Sequence, residues 1–305
     1  MSVFPLVAVI FWGLSYVAIK VALDYLSPTE LVLARFILAT PTLGALVLLR
    51  GKSFKIKGPL LKPALYLALS GLIVYAHFWI MAEGLKTTTA NNGAWILATA
   101  PVFILLLSVL TIKERINIVQ GAGMAVAAIG VVFLISKGDL TSIEWIKSTG
   151  DMLMVVNCAT WAIYTVVTRK VTESVDPLVA TFYTSAIAFL IFAPFGFGSG
   201  AIDAYLSLDL RAISVVVFLG VGCLALAFWM WAKGVQEIGA TRAGAYLYIE
   251  PLFTVVAAYL VLGEGITWVL AGAAILITIG VYLAEHIGPG KFAAAISPEK
   301  LSPPS

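Results

Sequence analysis

Of 305 residues, 61% are apolar and only 11% charged, and the mean hydropathy is +1.02. So apolar a chain excludes a water-soluble fold, and a net charge of +3 without a basic stripe argues against a nucleic-acid binder. Cys158 and Cys223 both lie inside apolar runs, where they read as small packing residues rather than a disulfide framework.

Apolar runs of about 20 residues, the length a helix needs to cross a hydrocarbon core of roughly 30 Å, recur along the chain. They do not alternate, which argues against a transmembrane barrel. The predicted spans are 3–23, 28–49, 63–85, 91–112 and 116–136, then 151–170, 177–195, 212–235, 241–262 and 267–286. The first lacks a basic leader, carries Trp12 and Tyr16 and ends without a small-residue cleavage site, so it reads as a retained span rather than a signal peptide. Residues 137–150 form a polar linker. The tail, 287–305, holds four prolines and no apolar run and is expected to be disordered and cytoplasmic.

The chain repeats itself. At an offset of 150, Trp79, Ala82 and Gly84 fall on Trp229, Ala232 and Gly234, while Ala90, Pro101 and Glu114 fall on Ala240, Pro251 and Glu264. Trp12 falls on Trp161 and Pro28 on Pro177 at an offset of 149. The predicted units are therefore 1–136 and 151–286. Five spans per unit is an odd number, so the second unit enters the bilayer upside down. The predicted fold is all-α: a polytopic membrane protein of ten transmembrane helices, arranged as two inverted five-helix repeats. Thirteen of the nineteen Lys and Arg residues lie on the side holding both termini, most densely in the loop from Arg50 to Lys62. The positive-inside bias puts that side in the cytoplasm. Inverted repeats belong to many secondary transporters, whose substrate site lies between the halves near the midplane.

These residues resemble the EamA family of the drug/metabolite transporter superfamily. The resemblance is carried by Trp12-Gly13 with Lys20, Pro28 with Arg35-Phe36, Pro101 with Glu114-Arg115, Gln120-Gly121 and Gly130-Val131. The second half repeats it in Pro251, Leu262-Gly263-Glu264, Gly272 and Gly280-Val281. The resemblance implies a ten-helix carrier of the prokaryotic inner membrane, cytoplasmic at both ends, often an exporter of amino acids or other small metabolites. It also implies a central cavity lined by the first, third, fourth, sixth, eighth and ninth spans. Where Arg35 would repeat, the second half has Thr184.

Polar groups within the spans are the candidate substrate site. Glu250, roughly 15 Å along its helix at 1.5 Å per residue, is costly at that depth unless paired, protonated or wet. It reads as a proton or cation handle, with Tyr246 one turn before it on the same face. His77, with Tyr75 beside it, can hydrogen-bond a solute or be satisfied between helices. Asn157, Trp161, Tyr164, Thr165 and Thr168 form one polar-aromatic stripe. Trp12, Ser15 and Tyr16 form a second stripe, and Asn92, Trp95 and Thr99 a third; such faces suit a protein interior better than lipid. For Trp145, Trp229, Trp231 and Trp268, interfacial belts or packing are the expectation. Lys20 and Glu83 are placed to pair near the outer end and Lys233 lies near the inner one, so these three are gating candidates. Pro101 and Pro251 join them as helix kinks about which the halves could rock. Arg35, about 10 Å from the outer end of its helix by the same rise, lies within reach of the headgroups if it snorkels. Glu114 and Glu264 are expected to cap the helices that follow them.

The pattern excludes other chemistry more firmly than it names a solute. There is no phosphate-binding G-x-x-x-x-G-K-[ST] loop, no H-E-x-x-H and no G-x-S-x-G, which argues against an ATP-driven pump and an enzyme. No cofactor or metal is implied. The expected activity is alternating-access transport of a small amphipathic metabolite, foremost amino acid export. Lipophilic-drug or other metabolite efflux is the alternative, and a channel the next. Small residues in the fifth and tenth spans permit close helix contact, within the chain or in a homodimer.

Overall fold

A computed structural model describes residues 2–56, 61–114, 116–136, 148–196, 201–262 and 268–286. The first two helices are α1 (Val3–Ala22) and α2 (Pro28–Leu49). The Ser27 hydroxyl and Glu30 carboxylate close a capping box at the start of α2, with Pro28 in the first turn, where its missing donor costs nothing. Helix α3 runs Leu61–Thr87. The fourth span is two helices, α4 (Ala90–Leu97) and α5 (Ala100–Ile112), and α6 (Ile118–Ile135) follows behind an Asn117–Gln120 capping box. The second half begins with α7 (Thr149–Val171), α8 (Pro177–Gly196) and the short α9 (Ala201–Leu206). A long run then holds α10 (Leu210–Val217), a π-helix (Phe218–Leu226) and α11 (Ala227–Ile238). The ninth span is α12 (Ala240–Ala245), a 3-10 turn (Tyr246–Ile249) and α13 (Glu250–Leu262), and α14 (Val269–His286) closes the fold.

Among the described residues, seven helical runs are long and apolar enough to cross a membrane: Val3–Ala22, Pro28–Leu49, Leu61–Thr87, Ala90–Ile112, Thr149–Val171, Leu210–Ile238 and Ala240–Val261. Three shorter apolar helices, Ile118–Leu134, Pro177–Ile191 and Ala271–Glu285, accompany them. The predicted linker 137–150 and tail 287–305 lie largely or wholly outside the described residues, as do Arg115, Trp145, Gly263 and Glu264.

Both proline spans break rather than bend. Pro101 and Pro251 are each the second residue of the helix that restarts after the break, α5 and α13, where a residue without an N–H leaves no bond unmade. Backbone irregularity at membrane depth is tolerated only where protein or a cavity surrounds it. The π-helix is a third irregularity that hydropathy does not announce; such segments concentrate at functional sites.

Packing separates a peripheral pair from a central group. Helices α6 and α14 pack along each other through glycine. A Cβ on Gly123 would stand 2.5 Å from the Ala284 amide nitrogen and 2.7 Å from the Gly280 carbonyl oxygen, and one on Gly130 would press on Ile277. The small residues that suggested close contact within or between chains are thus largely occupied within the chain. In the centre, α1 packs on α11 and α13, α7 on α3 and α5, and α2 on α8. Ser2 N–H donates to the Glu285 carboxylate and the Tyr246 hydroxyl, so both ends of the described chain meet at one face of the bundle.

Glu114 does not cap the helix after it, which the Asn117–Gln120 box already serves. Its carboxylate accepts from the Thr241 N–H (3.2 Å) and hydroxyl (2.9 Å), and so caps α12 in the other half. Glu114→Ala should destabilise the protein by about 1–2 kcal/mol, because the α12 N-terminus loses its acceptor. Glu114→Gln should recover part of this. Thermal unfolding in detergent measures both, and equal melting temperatures for wild type and Glu114→Ala would show that the cap is idle.

Candidate functional site

The cavity between the halves is built outward from one close crossing. A Cβ on Gly13 would stand 2.6 Å from the Glu250 carbonyl oxygen and 2.7 Å from the Phe253 Cβ, so glycine lets α1 touch α13. The Thr254 hydroxyl donates to the Gly13 carbonyl (2.9 Å) and locks the contact. That crossing sets Trp12 and Ser15 beside Glu250 around a tight cavity of about 20 Å³. His77, Phe78 and Met81 of α3, Leu97 of α4 and Trp161 of α7 form further walls, with Phe228 of α11 and Leu247 opposite. The six expected spans all contribute. The second span adds Arg35, which the resemblance did not imply.

Arg35 does not snorkel. It is 2% exposed, and its guanidinium carbon stands 4.0 Å from the centre of the Phe78 ring, a cation–π seat that holds the charge against the cavity wall. Glu250 is also 2% exposed. Arg35 Nε, Glu250 Oε1, Tyr16 Oη and Trp161 Nε1 are all buried without a hydrogen-bond partner. In a folded interior most such atoms are paired.

An aromatic layer lies against this cavity. Trp161 is its hub, meeting Trp12 edge-on at 4.8 Å between ring centres, Phe228 at 5.5 Å and Trp231 at 5.4 Å. Trp12 Nε1 donates to the Cys223 carbonyl in the π-helix (3.0 Å), which fixes the indole plane. Trp231, expected to serve packing, is fully buried in this layer. A second, smaller void of about 10 Å³ is lined by Ser70, Tyr164, Thr168, Thr181 and Thr184 among others. It approaches the α7–α8 turn, where Asp176 pairs with Lys52 at 3.0 Å.

The remaining candidates divide by place. His77 lines the cavity and is also satisfied between helices: its Nδ1 shares a hydrogen with the Thr160 hydroxyl (3.1 Å), and its ring stands 5.1 Å from Trp161. Asn157 is fully buried and donates to the His77 carbonyl (2.6 Å), tying α7 to α3. Tyr16 is fully buried next to Ser15, while Tyr75 stacks on Phe36 at 6.3 Å. Tyr164 belongs to the second cavity.

The structure does not bring Tyr246, Asn92 or Trp95 to the main cavity. Tyr246 shared a face with Glu250 only if the helix were α-helical. The 3-10 turn has three residues per turn and so aligns Leu247 with Glu250 instead. Asn92 donates to Asp151 (2.5 Å) and to the Thr88 hydroxyl (3.3 Å), a cluster joining α4 to the start of α7, and Trp95 is half-buried. Of the gating charges, Glu83 pairs with Lys86 (3.1 Å) rather than Lys20, and Lys233 with Glu237 (3.2 Å). Other contacts that join helices across the ends come from residues not singled out in the sequence. The Thr88 hydroxyl donates to Asp151, and Arg169 Nη1 donates to the Gln236 carbonyl (2.8 Å). Neither stands out in a sequence, since polar residues at span ends are ordinary.

Long apolar helices enclosing a polar-aromatic cavity define a polytopic membrane protein. Comparison with known proteins makes the class specific. The model of the EamA-like transporter family matches residues 2–136 and again 148–285. The chain belongs to that family and is a multi-pass membrane transporter, not an enzyme. An uncharacterized transporter of Archaeoglobus fulgidus is 31% identical over 272 residues, covering 89% of this chain and 92% of that one. The uncharacterized inner membrane transporter YedA of Escherichia coli K12 is 27% identical over 297 residues, covering 92% and 90%. A solved crystal structure superposes with a TM-score of 0.70 at 20% identity over 93% of this chain and 95% of that one, a likeness of fold.

Proposed function

We propose that this transporter is a secondary carrier of ten spans in two inverted five-helix repeats. It moves a small amphipathic metabolite, foremost an amino acid leaving the cell, across the prokaryotic inner membrane with both termini in the cytoplasm. The observation that carries the reading is a pair of voids that both meet the aromatic layer, the larger through Trp12, Trp161 and Phe228 and the smaller through Tyr164, which packs on Trp161. Arg35 lines one and its repeat counterpart Thr184 the other, while the counterparts Trp12 and Trp161 meet within the layer. Packing supports the inverted arrangement, because α1 meets α11 and α13 as its counterpart α7 meets α3 and α5. Alternating access then consists of opening one cavity to its side while the layer and the far end stay closed.

The competing reading, efflux of lipophilic cations, draws on Glu250 beside aromatic rings. Counterflow in proteoliposomes against a panel of amino acids and cationic dyes separates the two. Saturable, trans-stimulated uptake of amino acids is the expected result. Dye counterflow alone would replace it with drug efflux, and unsaturable flux with ion current would make the protein a channel. The same vesicles under an imposed pH gradient report whether a proton moves the other way.

A further inference from the structure

We infer that Arg35 and Glu250 together form a zwitterion site, the first taking a carboxylate and the second an ammonium group of one solute. The inference rests on the carrier reading and narrows its substrate to molecules bearing both charges. Both residues line the same cavity, one from each half of the chain, and both are 2% exposed. Neither has an ion-pair partner among the described residues. Ion pairs among the described residues, such as Lys52–Asp176 and Lys233–Glu237, stand near helix ends and involve neither group.

A guanidinium and a carboxyl group withdrawn from water into one cavity, yet not joined to each other, are expensive unless something answers both. Glu250 stands beside the Tyr16 phenol, but Arg35 Nε and Glu250 Oε1 are buried without a hydrogen bond among the described residues, so each retains hydrogen-bonding capacity. The Phe78 ring under the guanidinium holds Arg35 at the wall and away from the bilayer surface. A planar guanidinium fork suits a carboxylate in two-point contact, and Glu250 accepts from an ammonium. The rest of the solute would lie against Trp12, Trp161 and Phe228, which favours an apolar or aromatic side chain over a polar one. An amine without a carboxylate leaves Arg35 unanswered, and an acid without an amine leaves Glu250 unanswered. Each omission leaves a buried polar group without its partner, the kind of loss by which a site discriminates strongly.

The test uses the full chain in proteoliposomes, with labelled phenylalanine counterflow inhibited by phenylalanine, phenethylamine or 3-phenylpropionate. Phenylalanine should inhibit at least about tenfold more strongly than either single-headed analogue, the loss of one charged hydrogen bond. Glu250→Gln should raise the KM for phenylalanine at least about tenfold and erase the handicap of 3-phenylpropionate. Arg35→Gln should do the same for phenethylamine, while Glu250→Asp and Arg35→Lys keep part of the wild-type ranking. Where a variant fails to fold, judged by its elution profile in detergent, the wild-type inhibitor series decides alone. Inhibition by phenethylamine equal to phenylalanine overturns the clamp in favour of a cation site. Counterflow of uncharged solutes but of no amino acid overturns it and leaves the carrier reading standing. Absence of any counterflow removes both.

Discussion

Trp161→Ala should raise the half-saturating solute concentration at least about tenfold and lower stability by about 3–5 kcal/mol, the usual cost of truncating a buried aromatic. Trp161 is the hub of the aromatic layer: its ring lies within 5.5 Å, centre to centre, of Trp12, His77, Tyr164, Phe228 and Trp231. Each such pair contributes about 0.5–1.5 kcal/mol beyond simple burial, so removing the hub loosens several at once. It also widens the cavity on the side where a solute's apolar part would rest. Trp161→Phe keeps a ring and should recover most of the stability but less of the affinity. Initial rates of uptake and thermal unfolding in detergent separate the two effects. A KM unchanged in Trp161→Ala would show that the layer is scaffold and not solute wall.

Gly123→Ala should fail where Gly121→Ala succeeds, although the two glycines are two residues apart. A methyl group on Gly123 meets the backbone of α14 at 2.5 and 2.7 Å, atoms that no rotamer change can move. Overpacking of this kind costs about 1–3 kcal/mol, and here it must push α6 away from α14 along their shared length. Nothing stands within 4 Å of a Cβ on Gly121, so alanine there should be neutral or stabilising by up to about 1 kcal/mol through helix propensity. Yield of folded protein and melting temperature in detergent read the contrast. Equal behaviour of the two variants would mean that α6 and α14 do not rest on each other as described.

Much of the site was visible before any coordinates. The stripe of Trp12, Ser15 and Tyr16 pointed inward because lipid has no use for a hydroxyl-bearing face at that depth, and Trp12 and Ser15 do line the cavity. Glu250 stood out for the same reason, since a carboxylate in hydrocarbon needs a partner or a purpose. The direction of Arg35 stayed open in the sequence because reach along one helix is all a sequence offers. Its guanidinium is long enough to reach the headgroups, and only the position of Phe78 on the neighbouring α3 turns it inward. Tyr246 failed differently: an i, i+4 argument assumes α-helical periodicity, and the 3-10 turn removes it.

Composition and periodicity alone determined that this chain lies in a membrane, that it states one pattern twice, and that its prolines fall at matching points of the two statements. Those are properties of residues taken singly or at fixed spacing, and solvent transfer and helix geometry read them directly. Tertiary structure alone decided that Glu114 caps a helix of the other half, that α10 and α11 are joined by a π-helix, and that Arg35 faces the cavity holding Glu250. Each of those depends on which helix lies beside which, at distances of a few ångströms between residues far apart in the chain. No local pattern encodes such distances; close packing between helices does.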